Sequence, residues 1–574
     1  MSVTGTAPRL RGWSAAVVAL VAIGLAGVAF MQNRAVAHDL LWPGFDVQYR
    51  ELASAQTLLD QGYGRDADYA HEHVWYNPMA AWIIAGASRI SGVAAPTVVN
   101  RIGPYVNLAA PVALFLLTAV LFDGFAAVAT LGVFVFIIGT EFPFYDSAAY
   151  SPWFAPESFG QAWLYLLLAA AYRAFRPAAS FGWSAACGAL LGLAFLTHTA
   201  PALLGGAVII TLGVLDMREP GAGRGSLARV AVALGVAFLV SLPFGFEILW
   251  LYHLKIVNQF PSLSPSNLLD LNELPALAAT IAMPTAVAAT ALIMRARKRF
   301  DPGLRVLIAL FGVIAALLAA HVVRLLLGKV GVHLPPIVPA LHFFFYFMAV
   351  VAIGIGVGIR DASSAIVRWI ARGRRMPLND GAIAGGFLAC AVTVLLVAAA
   401  YPRYLQREDF TNIRKEAVEL NERFPADVVA WIRANSSPDD VFLCTDDASM
   451  YIVPPAGRKV VAINRYFSNP YVDWATRDRD RTRMFEQLKQ RDIDGFRALA
   501  ARYDVRFVLL TRDKSPDWLR AAGMRPRDLP DVELASLSGL PEFSLVFETD
   551  RFAILAVRKA SAEPQAWAVS PAPR

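Results

Sequence analysis

Charge is what this chain has little of: Asp, Glu, Lys and Arg make up 17% of its 574 residues, against 56% that are hydrophobic. Soluble domains carry about 25% charged residues. The deficit, with apolar residues gathered in long runs rather than at amphipathic spacing, excludes an ordinary water-soluble protein. Cysteine is scarce too. Cys187 and Cys390 fall inside apolar runs and Cys444 in a polar tail, which leaves no disulfide framework and no Cys-x-x-Cys metal site. No internal repeat is apparent, which counts against the inverted-repeat plan of transporters. The first apolar run follows Arg9 and Arg11 as in a signal peptide, but it reaches about Phe30 with no small-residue cleavage site near Arg34; it reads as a retained anchor. The net charge of +7 comes from Arg and Lys in short connections between apolar runs, where they act as topology signals, so no nucleic-acid partner is implied.

What is there is a series of membrane spans. At roughly 20 apolar residues per span, about eleven candidates run over residues 13–31, 101–121, 124–140, 159–176, 180–197, 200–217, 229–251, 275–294, 304–324, 340–358 and 381–401. With the N-terminus inside, four of the five inner connections are basic, as the positive-inside rule requires. The tail then lies outside. Residues 1–402 are expected to form a transmembrane domain with a first outer loop over 32–100, residues 403–560 an extracytoplasmic α/β domain, and 561–574 a disordered tail. In the α/β domain, residues 441–444, 459–463, 507–510, 543–547 and 552–557 read as strands, and 411–435 and 480–502 as helices.

On this topology all eight histidines fall at or near the outer face, among them His198, His321 and His342. Ionisable groups at membrane depth are costly and usually line a site, so a single polar chamber is expected there. Outer carboxylates follow the same pattern, with Asp46 in the first loop and Asp146 and Glu157 in the second, interleaved with aromatics. Such aromatics suit sugar-ring stacking and equally suit an interfacial belt. Asp46 and Glu157 each sit beside a span's outer end, where a carboxylate can act as general base on an acceptor hydroxyl or bind a divalent ion that neutralises a phosphate leaving group. His71-Glu72-His73 offers two imidazoles on one extended face but too few ligands for a metal centre. Cations at the outer face run against the positive-inside rule; Arg101, Arg324 and Lys329 either snorkel to headgroups or clamp a lipid phosphate, and Arg324 is the first choice for a bidentate clamp.

The layout resembles the GT-C membrane glycosyltransferases, the superfamily of oligosaccharyltransferases, protein mannosyltransferases, lipid A aminoarabinose transferases and mycobacterial arabinofuranosyltransferases. Phe45-Asp46-Val47-Gln48-Tyr49-Arg50 is similar to the acidic motif after the first span, residues 50–61 to the first juxtamembrane helix, and Trp75-Tyr76-Asn77-Pro78 with 79–91 to the second. Glu157 matches a second acidic motif. The tail segments Val441–Thr445, Phe467-Ser468-Asn469-Pro470 and Phe552–Arg558 resemble the outer domain of a galactan arabinofuranosyltransferase. The resemblance implies a polytopic helical GT-C fold of about eleven spans in a bacterial inner membrane. It also implies transfer of a sugar from a polyprenyl-phosphate donor to a glycan, lipid or protein acceptor, with membrane lipids as further partners. Asp46 would be the base, Arg324 the phosphate ligand helped by Arg101, His321 and His342, and Glu157, Asp146, Trp75 and Tyr76 the orienting groups. A single Asp46 stands where many relatives carry two acids, and the tail lacks Trp-Trp-Asp, which counts against protein N-glycosylation and a metal requirement. Mg or Mn on Asp46 and Glu157 stays open, as does the alternative of a transporter or flippase without chemistry.

Overall fold

The computed structural model describes residues 12–138, 149–218, 223–259, 261, 272, 274–298, 301–334, 338–371, 378–512 and 532–558. In chain order the helices are α1 (Gly12–Ala37), α2 (Asp46–Gln61), α3 (Met79–Ser91), α4 (Ala95–Asn107), α5 (Ala109–Leu121), α6 (Gly124–Gly132), α7 (Pro156–Ala174), α8 (Phe181–Thr197), α9 (Thr199–Met217), α10 (Gly223–Phe246), α11 (Leu274–Lys298), α12 (Pro302–Lys329), α13 (Ala340–Ile370) and α14 (Leu378–Tyr404). Wide π turns extend α6 over Val133–Ile137 and α10 over Glu247–Leu251. The chain divides into two compact units: residues 1–38, 102–242 and 265–412 form the helical unit, and residues 39–101, 243–264 and 413–574 the polar unit.

Each of the eleven expected spans falls on helix, the second on α4 and α5 together, and among the described residues eight helical stretches are long and apolar enough to cross a membrane by themselves. The other three fall short for a physical reason. The apolar helices Gly124–Ile137 and Phe181–Thr197 are short, and α7 begins with Pro156-Glu157 and ends near Arg173. All three are covered by other helices of the bundle, so none needs a full lipid-facing length. The second span also starts earlier than expected, at Ala95, which puts Arg101 inside α4 rather than at its opening.

The chain is thus a multi-pass membrane protein with α13 at the centre of its helical unit. Nearly every residue from Ala340 to Val357 is buried. Glycines allow the close approach that replaces hydrophobic drive in lipid: a Cβ at Gly354 would meet Ala288 of α11, and one at Gly356 would meet the Thr130 backbone of α6 within 3.0 Å.

In the polar unit a five-stranded sheet has the order β2-β1-β3-β5-β4, with β1 (Val441–Leu443), β2 (Lys459–Val460), β3 (Val505–Thr511), β4 (Phe543–Glu548) and β5 (Phe552–Val557). β1 is parallel to β2 and β3, while β5 runs antiparallel to β3 and β4. Side chains alternate across its faces: Phe442, Phe507 and Ile554 pack in one apolar cluster, Leu443, Val508 and Leu555 in the other. The helix expected over 411–435 is two, α15 (Asn412–Arg423) and α16 (Ala426–Asn435), because Pro425 cannot continue a helix. The one expected over 480–502 is also two, α18 (Trp474–Gln490) and α19 (Ile493–Arg502), after a short α17 (Asp446–Tyr451); left-handed Arg491 at φ 61° turns the chain between them. The segment 39–101 belongs to this unit. Tyr49 of α2 is 0% exposed, inside the same cluster as Phe442, and Trp42 stacks on Phe424 at 3.9 Å.

Candidate active site

α2 starts earlier than the sequence suggested, so Asp46 is its first residue. There the carboxylate meets the positive end of the helix dipole, and its Oδ1 accepts the Val47 N–H at 2.7 Å. One turn later, on the same face, the Arg50 guanidinium lies 3.7 Å from the Tyr76 ring centroid. Its Nε and Nη2 both donate to Glu51 Oε1, at 3.2 and 2.8 Å. Glu51 is 1% exposed; a carboxylate that dry is tolerated only when paired, so Arg50 is held at both faces and ends. Trp75 meets Tyr76 edge-on at 5.5 Å, and Arg50, Trp75, Tyr76 and Asp68 line a recess with about 540 Å³ of empty space.

Behind Asp46 stands Tyr451. Burial pushes its phenol up, and the charges of Asp46 and Asp447 push the same way. Burial, then the neighbouring Asp446, pushes the Asp447 carboxyl up to about 7. Arg481 opposes the shift weakly because it is already engaged, 2.5 Å from Asp446 and 2.6 Å from Asp478.

Residues 62–78, which carry the aromatic pair, form a hairpin locked from outside. Gly62 and Gly64 adopt φ of 84° and 101°, angles that favour glycine. Asp66 accepts the N–H groups of Asp68 and Tyr69 at 2.7 and 3.1 Å, and Asn469 Nδ2 at 2.7 Å. Asn469 Nδ2 also reaches the Tyr252 hydroxyl at 2.9 Å, and Tyr252 bonds both the N–H and the C=O of His73 at 2.8 Å. Burial raises the Asp66 and Asp68 carboxyls, Asp68 also through the charge of Asp66, and lowers the Lys459 ammonium beside them. The polar loop 467–471 is therefore committed to internal bonds. The His71-Glu72-His73 triplet is split: His71 faces Asp504 at 3.8 Å and His73 faces Glu247 at 3.5 Å.

The helical unit holds Glu157, His321, Arg324 and His342. Glu157 follows Pro156 in the first turn of α7 and is close enough to Tyr346 of α13 to interact electrostatically. One turn before Tyr346, His342 packs against His198 with ring centroids 4.8 Å apart; His198 also caps α9, its Nδ1 accepting from Ala200 N. A Cβ on Gly160 of α7 would lie 3.6 Å from His198, so α7, the α8–α9 turn and the start of α13 converge. Further along α12, His321 is 7% exposed, and Arg324 Nη2 comes 3.5 Å from its Nδ1. Arg324 Nε is buried with no hydrogen-bond partner among the described residues. The segment leading into α7 is rigid: Trp153 Nε1 donates to Asp409 O at 3.1 Å, Asn107 donates to the carbonyls of Ser151 and Trp153 at 3.0 and 2.7 Å, and Arg407 bridges Tyr150 O and Asp409 at 3.1 and 2.7 Å. Burial lifts Asp409 to about 6 against the pull of Arg407.

Among solved structures the chain is similar to ArnT from Cupriavidus metallidurans, in its apo state (TM-score 0.55, 15% identity, 96% of this chain and 100% of that one) and bound to undecaprenyl phosphate (0.53, 14%, 95% and 99%). It is also similar to the oligosaccharyltransferase AglB from Archaeoglobus fulgidus in complex with an inhibitory peptide and a dolichol-phosphate (0.53, 13%, 89% and 71%). The fold is that of the GT-C membrane glycosyltransferases. Arabinofuranosyltransferase AftD from Mycobacteria shares it at TM-score 0.51 and 13% identity, over 96% of this chain and 40% of that one. No protein-family model and no curated protein sequence matches.

Within this GT-C fold, Asp46, Trp75 and Tyr76 fall in the polar unit, with Arg50 linking α2 to the aromatic pair. Glu157, His321, Arg324 and His342 fall in the helical unit, while Arg101 is exposed on α4. Asp146 lies outside the described residues. Among the described residues no three carboxylates, histidines or cysteines converge as metal ligands. Sequence reasoning passed over Arg50, although its i,i+4 spacing from Asp46 was visible. It also passed over Tyr252 and Tyr346, whose roles depend on distant partners.

Proposed function

We propose that the chain is a glycosyltransferase that moves one sugar from a polyprenyl-phosphate carrier to a hydroxyl of a glycan, lipid or protein acceptor outside a bacterial plasma membrane. The observation that carries this reading is a GT-C fold that sets Asp46 at the first position of the first helix after the opening span. The undecaprenyl phosphate and dolichol-phosphate bound to ArnT and AglB support a lipid-linked donor.

Asp46 takes the proton of the acceptor hydroxyl as its oxygen attacks the anomeric carbon, the work of a general base. The bond from that carbon to the phosphate oxygen breaks, and the electron pair leaves with the lipid phosphate. Arg324 receives that charge: its buried, unsatisfied Nε is a fixed donor in a dry setting, where preorganised charge stabilises most. His321 supports Arg324, with His342 and Arg101 as further groups toward the phosphate and Glu157 orienting the donor. Trp75 and Tyr76, held by Arg50, supply stacking surface for a sugar ring. The ligand set for a divalent cation is not assembled among the described residues, and no step here runs through one.

The test is transfer by purified protein from a panel of polyprenyl-phosphate sugars. Asp46→Asn should lower turnover about 10²–10⁴-fold, and Arg324→Gln should weaken donor binding. Equal turnover by Asp46→Asn and wild type removes the base assignment; passage of labelled lipid across liposomes without transfer to any acceptor replaces the enzyme by a transporter.

A further inference from the structure

We propose that the recess between α2 and the aromatic hairpin binds one sugar ring of the acceptor, with Asp68 reading its hydroxyl groups. The ligand's role as acceptor rests on the transferase reading, and the acceptor class narrows to one that already carries a sugar.

The recess is built within the polar unit. Along α2, Asp46, Arg50, Ser54 and Leu58 form one i,i+4 row, and the last three line the recess. The hairpin contributes Trp75 and Tyr76, and α3 adds Trp82. Trp82 in turn meets Tyr63 at 5.6 Å, and the Tyr63 hydroxyl donates to Pro243 O at 2.8 Å. Apolar walls with a few placed polar groups are the usual make-up of a ligand site. Here the decisive polar group is Asp68, which is 3% exposed and lines the recess. Its neighbour Asp66 accepts hydrogen bonds from Asp68 N, Tyr69 N and Asn469 Nδ2, but no group among the described residues donates one to the Asp68 carboxyl; Lys459 and Arg50 act on it through charge alone. Buried polar groups are nearly always hydrogen-bonded, so this exception asks for an explanation. A ligand hydroxyl in the recess supplies one.

The ligand's chemistry follows from what surrounds that carboxyl. Arg50 and the exposed Arg65 line the same recess and disfavour a cation, although aromatic rings alone would suit one. The acid disfavours an anion. Burial and the charge of Asp66 push the Asp68 carboxyl up, and with its proton on it both donates and accepts. A sugar is neutral, offers hydroxyls that do the same, and presents an apolar C–H face to an aromatic ring. An interfacial aromatic belt accounts for the rings but not for a buried acid among them. The position suits an acceptor: Arg50 lies 3.7 Å from the Tyr76 ring centroid and one turn, about 6 Å, along α2 from Asp46. A ring stacked on Tyr76 brings a hydroxyl toward the base.

The experiment is saturation-transfer NMR on the full-length protein in a detergent without a sugar headgroup. The probes are the methyl glycosides of glucose, mannose, galactose and arabinofuranose, with glycerol as a polyol that has no ring. Wild type should bind at least one glycoside and not glycerol. Asp68→Leu, similar in size but without hydrogen bonds, should weaken that binding about tenfold, and Asp68→Asn, which keeps a donor and an acceptor, should stay within about threefold of wild type. Should Asp68→Leu fail to fold, Trp75→Ala should weaken binding about fivefold. Undiminished binding in Asp68→Leu or Trp75→Ala overturns the proposal, as does failure of every glycoside to bind or equal binding of glycerol. Asp46→Asn separates the two readings, because it should bind glycoside as wild type does while losing transfer. Asp68-dependent binding without transfer from any donor would leave the sugar site standing and remove the transferase reading alone.

Discussion

Replacing Asp447 by Asn should remove a specific pH dependence from the stability of the polar unit. Arg481, itself buried, already holds Asp446 and Asp478 at 2.5 and 2.6 Å, so Asp447 is a third carboxylate around one guanidinium. Burial and the charge of Asp446 push it up to about 7, whereas an unfolded Asp ionises near ~3.9. An acid whose folded pKa is raised is buried most easily with its proton on. The native state is then relatively most stable below the unfolded value, and it loses that advantage as pH rises through about 7. Three units at about 1.36 kcal/mol each set a ceiling near 4 kcal/mol, and partial solvent access cuts it to roughly 1–2 kcal/mol. At about 2–4 °C per kcal/mol for a domain of this size, Asp447→Asn should melt above wild type at pH 8 by roughly 2–8 °C and level with it at pH 4. Thermal unfolding of the full-length protein in detergent, followed by tryptophan fluorescence at pH 4, 5, 6, 7 and 8, reads the difference. Because Asp66 and Asp68 also titrate high, the informative quantity is the gap between the two proteins. A gap that stays constant across pH refutes the reasoning.

Asn469→Ala removes donors to Asp66 and Tyr252 and should cost about 2–4 kcal/mol, read by the same melting assay, since buried acceptors are left unsatisfied. Arg50→Ala leaves Glu51 buried without its cation, which should cost about 3–5 kcal/mol, and the additional change Glu51→Gln should restore much of the stability without restoring transfer. Gly103→Ala puts a methyl 2.2 Å from the Pro152 carbonyl oxygen. At about 1–3 kcal/mol for overpacking, it should lower the melting temperature and displace the segment leading to Glu157, measurable as reduced turnover in the folded fraction.

The legible parts of the fold were those with a strong local period or run. Helix positions followed from apolar runs, and β3, β4 and β5 from short apolar segments between turns. The number of independent spans was less legible, because burial among neighbours lets short helices such as Phe181–Thr197 pass without a full lipid-facing length. The helix over 411–435 was drawn through Pro425, whose effect on the backbone is local and was there to be read. In the candidate site, Asp46 and Glu157 stood out because a carboxylate beside an apolar run is conspicuous. Arg50 did not, since an Arg near a Glu looks like an ordinary surface pair until the burial of Glu51 is known. His198 was placed at the outer face by topology, but its packing on His342, far along the chain, has no local signature.

The sequence by itself determined that the protein spans a membrane, where its basic connections lie, and that a polar α/β domain follows the last span. Runs, charge placement and period are one-dimensional properties, and each acts through the few residues beside it. Only the tertiary structure decided that residues 39–101 share a unit with the C-terminal domain, that Asn469 and Tyr252 lock the aromatic hairpin, that one arginine serves three carboxylates at Asp447, and that Asp68 reaches the recess between α2 and that hairpin. Those depend on which distant surfaces exclude water from each other, and burial of that kind is set by the packed whole.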